Sequence, residues 1–273
     1  MKKVPALLLF ALMGLMANAQ SIDQAKLFSK RWILVQQALY NKPSDIYHAK
    51  EDGELVFLFS PNDGYVEEEG YKTGAKASYN TATRQMKMVP TEGGQEMIFH
   101  IVKVSDHALS MTMGEGDQKT TILLRNEALP FKTDLTKPLE VAGNFSFKAD
   151  QLKALLVEAG YTIKKESKDG IELENYMVGD RKCFAVGYKG NDVVGIYLNM
   201  GDRGKASDIA YQVKGMEGFR DVVSYASSAC GYSVYADKKV SFRFMGGSVW
   251  VTNLKALKND NVFLDITGGV VCD

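Results

Sequence analysis

Between Trp32 and Leu124 the chain is cut into eight short runs of alternating apolar character, none longer than eight residues. The runs are Trp32 to Leu39, Leu55 to Phe59, Tyr65 to Glu69, Ala75 to Tyr79, Gln85 to Val89, Met97 to Val104, Leu109 to Met113 and Thr120 to Leu124. Turn clusters such as Pro61-Asn62-Asp63-Gly64, Asn80-Thr81-Ala82-Thr83 and Gly114-Glu115-Gly116-Asp117 separate them. Alternation with period two is the signature of half-buried strands. Only a brief helix, Ile22 to Phe28, is expected before them. Eight sequential antiparallel strands with tight connections predict an up-and-down β-barrel, because closure leaves no unpaired edge.

The remainder of the 273 residues has a different pattern. Four of the five prolines after residue 19 lie between Pro43 and Pro130, and Pro138 ends a short polar stretch. All three histidines precede that stretch and all three cysteines follow it. The expected units are therefore residues 20–137, the barrel, and residues 138–273, an α+β domain. Leu152, Leu155, Leu156 and Ala159 make one helical stripe, ended by Gly160. Strands are expected at Tyr161 to Glu166, Ile171 to Met177, Lys182 to Tyr188 and Val193 to Asn199. A second helical stretch is expected from Ser207, broken near Gly215 and Gly218 and resumed by the stripe Phe219, Val222, Val223 and Ala226. Strands at Tyr232 to Tyr235, Val240 to Met245, Val249 to Asn253 and Val262 to Ile266 complete it. Ala159-Gly160-Tyr161-Thr162-Ile163 matches Cys230-Gly231-Tyr232-Ser233-Val234, so the domain is expected to repeat a helix–meander unit. Two such units could pair into one sheet with both helices on one side.

The first 19 residues have the pattern of an export signal. Lys2 and Lys3 precede 13 residues, Val4 to Met16, broken only by Pro5 and Gly14, and Ala17-Asn18-Ala19 offers small residues for cleavage after Ala19. A spanning helix needs about 20 apolar residues, and none approaches that length after Ile22. The expected location is periplasmic or extracellular. Lys+Arg and Asp+Glu are both 33, and loss of the two lysines leaves −2. A balance so near zero argues against a general nucleic-acid binder. Export puts Cys183, Cys230 and Cys272 in an oxidising compartment. A Cys230–Cys272 bridge, leaving one free thiol, would tie down the tail, and three buried thiols are the other reading; spacing does not choose between them.

Trp32, in Ser29-Lys30-Arg31-Trp32-Ile33-Leu34-Val35 at the entry to the first strand, resembles the start of lipocalin-like domains of exported bacterial proteins. That resemblance covers roughly residues 25–128. It implies that Trp32 plugs one end of the barrel and that Arg125, after the last strand, lies across it. The glycine such domains place before the Trp is replaced here by Ser29 or Lys30. The resemblance further implies either a small apolar ligand or a structural role.

Phe57, Phe59, Met97, Phe99 and Ile101 are the side chains that would line a ligand cavity, or simply fill the barrel. A cavity above ~300 Å³ there would favour binding. The outer residues of Met97 to Val104 are also apolar, and are expected to pack under the opening helix or against the second unit.

The chain has no nucleophile elbow, zinc-protease motif, Cys-x-x-Cys or phosphate loop. His48, expected in a loop, with His100 and His107 could in principle bind zinc, but ordinary histidines are the expected reading and no metal or cofactor is assigned. Cys183 has no histidine in its own unit to activate it and is expected to be a buried thiol. Glu67-Glu68-Glu69, Lys164-Lys165 and Lys238-Lys239 are expected to be solvated charges. Tyr161, Tyr232, Tyr235, Phe242, Phe244 and Trp250 are expected to be core. The expected function is non-catalytic: a carrier of a small apolar ligand, or a filled module that meets other envelope proteins.

Overall fold

A four-residue helix, α1 (Gln24–Leu27), opens the described chain, with the Asp23 carboxylate accepting from the Ala25 N–H at 3.0 Å. The structure is a computed structural model that describes residues 22–39, 46–49, 53–131, 145–215, 220–224, 232–236 and 239–269. The side chains of 220–224 and 232–236 lie outside that description. So do the export signal, the 137/138 boundary, Lys238, Cys230 and Cys272. Among the described residues no helix is long and apolar enough to cross a membrane.

Nine strands follow α1: β1 (Arg31–Leu39), β2 (Ile46–His48), β3 (Leu55–Leu58), β4 (Gly64–Glu68), β5 (Tyr71–Asn80), β6 (Gln85–Pro90), β7 (Met97–Val104), β8 (Ala108–Met113) and β9 (Thr120–Asn126). Every pairing is antiparallel, and the order β1-β3-β4-β5-β6-β7-β8-β9 closes by β9 pairing back to β1. This is an eight-stranded barrel, as the alternation predicts. The ninth strand, β2, replaces an expected loop. Its three residues pair with Gln36 to Ala38 of β1, while β3 takes Arg31 to Ile33 on the same edge. Three residues are too few for alternation to show. The hairpin at Glu69-Gly70 has both residues at positive φ (49° and 86°), which matches the right-handed twist of its strands.

The second sheet uses β10 (Thr162–Lys168), β11 (Ile171–Val178), β12 (Arg181–Lys189), β13 (Asp192–Asn199), β14 (Arg220–Ser224), β15 (Tyr232–Ala236), β16 (Val240–Met245) and β17 (Ser248–Asn253). Its order is β10-β11-β12-β13-β17-β16-β15-β14. Three helices accompany it: α2 (Ala149–Glu158), α3 (Arg203–Lys214) and α4 (Asn261–Ile266). Leu152 and Leu156 of α2 and Ala206, Ile209 and Val213 of α3 share one core with Val186, Ile196, Phe242 and Val251, so both helices cover one face. Phe263 and Leu264 of α4 pack with Leu173, Ala185, Val194 and Trp250 on the other.

Two expectations are corrected, and the repeat is not confirmed in the form expected. Arg220–Ser224, which carries Val222 and Val223 of the expected helical stripe, is a strand paired with β15. Phe219 and Ala226 of that stripe lie outside the described residues. Val262 to Ile266 lies in the helix α4. Its β-prone residues are overridden by packing, because Phe263 sits where a Cβ on Gly187 or Gly195 would be 2.5–2.7 Å from its ring. The matched Gly-Tyr segments fall on non-equivalent strands: Tyr161 precedes β10, at the sheet edge, whereas Tyr232 opens β15, one strand in.

The two sheets share a core. Val35, Ala38, Ile46, Ala108 and Leu123 on the outside of the barrel belong to the same buried cluster as Tyr161, Tyr176, Val178 and Phe184. At this seam a Cβ on Gly160 would stand 2.7 Å from the Ala108 Cβ.

Candidate functional site

The barrel interior comes first. Alternation turns Phe57, Phe59, Phe99 and Ile101 inward, where they meet Trp32, Met86, Met88 and Met111. The rings of Phe57 and Phe59 are 5.8 Å apart and stacked, and Phe99 meets Phe57 edge-on at 5.6 Å. A side chain lining a hollow wide enough for water would present accessible surface to it. Phe57, Phe59, Phe99 and Ile101 have 3%, 0%, 1% and 0%. These side chains fill the interior. Met97 is half-buried at the margin of the same cluster. The opposite face of β7 departs from expectation: Ile98, His100 and Val102 are exposed.

Trp32 is fully buried, and its Nε1 donates to the Leu27 carbonyl at 3.0 Å, which fixes α1 against the ring. Arg125 starts from the other side of the wall. Arg125 is in register with Ile33, whereas the inward residues of β1 are Trp32 and Leu34, so the guanidinium starts from the outer face. Lys30 lies 5.9 Å from the ring centroid.

The seam carries a chain of buried polar groups that sequence reasoning misses. The Tyr161 hydroxyl donates to Oε1 of Gln36 at 2.6 Å. Gln36 Nε2 lies 2.8 Å from His48 Nδ1, and His48 Nε2 lies 2.7 Å from the Asn199 carbonyl oxygen. The carbonyl only accepts, so Nε2 carries the proton, Nδ1 accepts from Gln36, and every polar atom along the chain is satisfied. The Arg181 Nε donates to the Leu39 carbonyl at 3.4 Å, and Lys205 of α3 lies 4.9 Å from the Tyr47 ring centroid. The one sequence signal is the amide pair Gln36-Gln37 inside an otherwise apolar strand.

Beside this chain lies a cleft of about 220 Å³ between the outer wall of β8 and β9 and the turns flanking β10 and β12. Ser110, Thr112, Thr121 and Thr162 supply its hydroxyls, and Lys119, Asp180 and Arg181 its charges. A Cβ on Gly179 would be 2.6 Å from Thr121 Oγ1, so the two walls touch at this point.

The other candidates are absorbed into packing. Glu174, 2% exposed, accepts from the Tyr176 hydroxyl at 2.7 Å and pairs with Lys165 at 2.9 Å. Lys153 of α2 binds Glu172 at 2.8 Å and lies over the Tyr188 ring, so this cluster anchors α2. Burial pushes the Tyr176 and Tyr188 hydroxyls upward in pKa. Cys183 is free and buried, and burial pushes its thiol up to about 12. Glu67 lies near Arg31 and Lys72. His107 lies 3.8 Å from Glu158, and among the described residues no group of three His, Cys, Asp or Glu could hold a metal ion. Tyr161, Phe242, Phe244 and Trp250 are core.

Comparison with protein-family models, with curated proteins and with solved structures finds no match to this chain.

Proposed function

We propose that this chain is an exported, non-catalytic envelope protein in which the barrel is a filled structural body, docked on a helix-backed sheet to form one interaction module. The observation that carries the reading is the near-zero exposure of Phe57, Phe59, Phe99 and Ile101. An apolar carrier needs open volume where these rings stand, and interiors packed this way have little room to yield. The shared core and the polar chain at the seam support a module that acts as one unit.

Three further parts belong to the proposal. Residues 1–19 are an export signal cut after Ala19. The likeness to lipocalin-like domains is supported by the eight-stranded ring and buried Trp32, and opposed by the outward Arg125. The α+β unit is a duplication at the level of element order: α2 with β10 to β13, then α3 with β14 to β17, joined through the β13–β17 pair.

Native mass spectrometry of the protein from the envelope fraction of its own cells tests this reading. The expected mass is that of the polypeptide from Gln20 with no lipid. A stoichiometric apolar adduct would overturn the filled barrel, and a chain beginning at Met1 would overturn export.

A further inference from the structure

We propose that the cleft at the seam is a binding site for a small hydroxylated oxyanion, of the chemical class of a sugar acid or a polyol phosphate. Four hydroxyls, from Ser110, Thr112, Thr121 and Thr162, line about 220 Å³. Among the described residues none of the four has a side-chain hydrogen bond. Thr112 and Thr121 are directly opposed across β8 and β9, and Ser110 lies two residues along the same face. An unused row of hydroxyls can donate or accept, and so can match a polyol.

The charges sharpen the class. Lys119 and Arg181 stand on opposite walls, one on the barrel and one on the sheet. Lys119 has no ion-pair partner among the described residues. Arg181 is already engaged, by its bond to the Leu39 carbonyl and by a further contact. Both cationic residues line one small space, and Lys119, the one with no ion-pair partner among the described residues, favours an oxyanion there, because charge-assisted hydrogen bonds are the strong ones. Asp180 on the same wall would repel a bare anion but accepts hydrogen bonds from hydroxyls. A ligand with an oxyanion at one end and hydroxyls along its length satisfies all three charges. The volume is below that of sites for drug-sized molecules, about 300–1,000 Å³, which also points to a small ligand.

Because the walls come from different sheets, such a ligand would clamp the barrel to the sheet. The site is separate from the barrel interior, so a ligand here leaves the filled-barrel reading untouched.

Calorimetric titration of the chain from Gln20 at low salt, with gluconate, glycerol 3-phosphate, glucose and glycerol as probes, tests the proposal. The expected result is binding of gluconate or glycerol 3-phosphate with a dissociation constant below about 1 mM, no comparable binding of glucose or glycerol, and loss of affinity as salt rises. The two charged probes separate the carboxylate from the phosphate source. Lys119→Gln, a change at an exposed side chain, should weaken the bound probe about tenfold, and Thr121→Val several-fold, with unchanged unfolding midpoints without ligand. Equal binding of the neutral probes, no binding of any probe up to about 10 mM, or affinity unmoved in both variants would each overturn it.

Discussion

Tyr161 and Gln36 lie 125 residues apart, and the tyrosine hydroxyl donates a 2.6 Å hydrogen bond to the glutamine's Oε1. Gln36 has no exposed surface, so its carbonyl oxygen has no water to fall back on. Tyr161→Phe removes the donor and leaves that acceptor buried and unpaired. The expected loss is about 1–3 kcal/mol in urea unfolding. A change within about 0.5 kcal/mol, as at an ordinary surface position, would show that the seam is wet or open in solution.

Cys183 should resist reaction. Its thiol is buried and raised to about 12, so almost none is thiolate near neutrality. Iodoacetamide at about pH 8 followed by peptide mapping should leave Cys183 unmodified in the native protein and label it after denaturation. Labelling at the rate of a free thiol would contradict its placement.

The same shift has a stability consequence. The unfolded thiol ionises near its ordinary value of 9.0, while the folded one keeps its proton to about 12. The folded state thus binds more protons across that interval, and its advantage, fully present below pH 9, declines as pH rises toward 12. The hydroxyls of Tyr176, Tyr188 and Tyr197 are raised by burial and act in the same sense. Urea unfolding against pH should show stability falling above 9, and Cys183→Ala should make that fall shallower. An unchanged slope in the variant would contradict the assignment.

Gly195 should not tolerate a methyl group. A Cβ there would stand 2.5 Å from Cδ1 of Phe263. Gly195→Ala is expected to destabilise by about 1–3 kcal/mol, the usual range for overpacking. Combined with Phe263→Leu, the two effects should add to less than their sum, because both act at one contact. Full additivity would mean that α4 does not seat on this notch.

The barrel strands are legible in the sequence because one face of each meets the core and the turns are marked by Gly, Pro, Asn and Asp. The misread elements have a common cause in tertiary context. Val262 to Ile266 is β-prone in composition, yet the glycine notch made by Gly187 and Gly195 selects a helix that delivers Phe263. Val222 and Val223 suit a helical stripe equally well, and β15 offers them an edge instead. The site is far less legible. Phe57, Phe59, Phe99 and Ile101 emerge as the inward set, but filled and hollow interiors share one alternation pattern. The seam depends on contacts such as Tyr161 with Gln36 and His48 with Asn199, which no local pattern encodes. Thr112 and Thr121 look like ordinary outward strand residues, and only the docking of the second sheet gives them a cleft.

The filled barrel is the central claim, and benzene binding to the wild type and to Phe99→Ala tests it most directly. Phe99 is 1% exposed and touches Phe57 and Phe59, so its truncation leaves an apolar void of ring size. Such voids stay dry and bind benzene. The expected result is no saturable thermal shift of the wild type by benzene, and a clear upward shift of Phe99→Ala over its own lowered midpoint. Saturable benzene binding by the wild type, displaced by a fatty acid, would contradict the account.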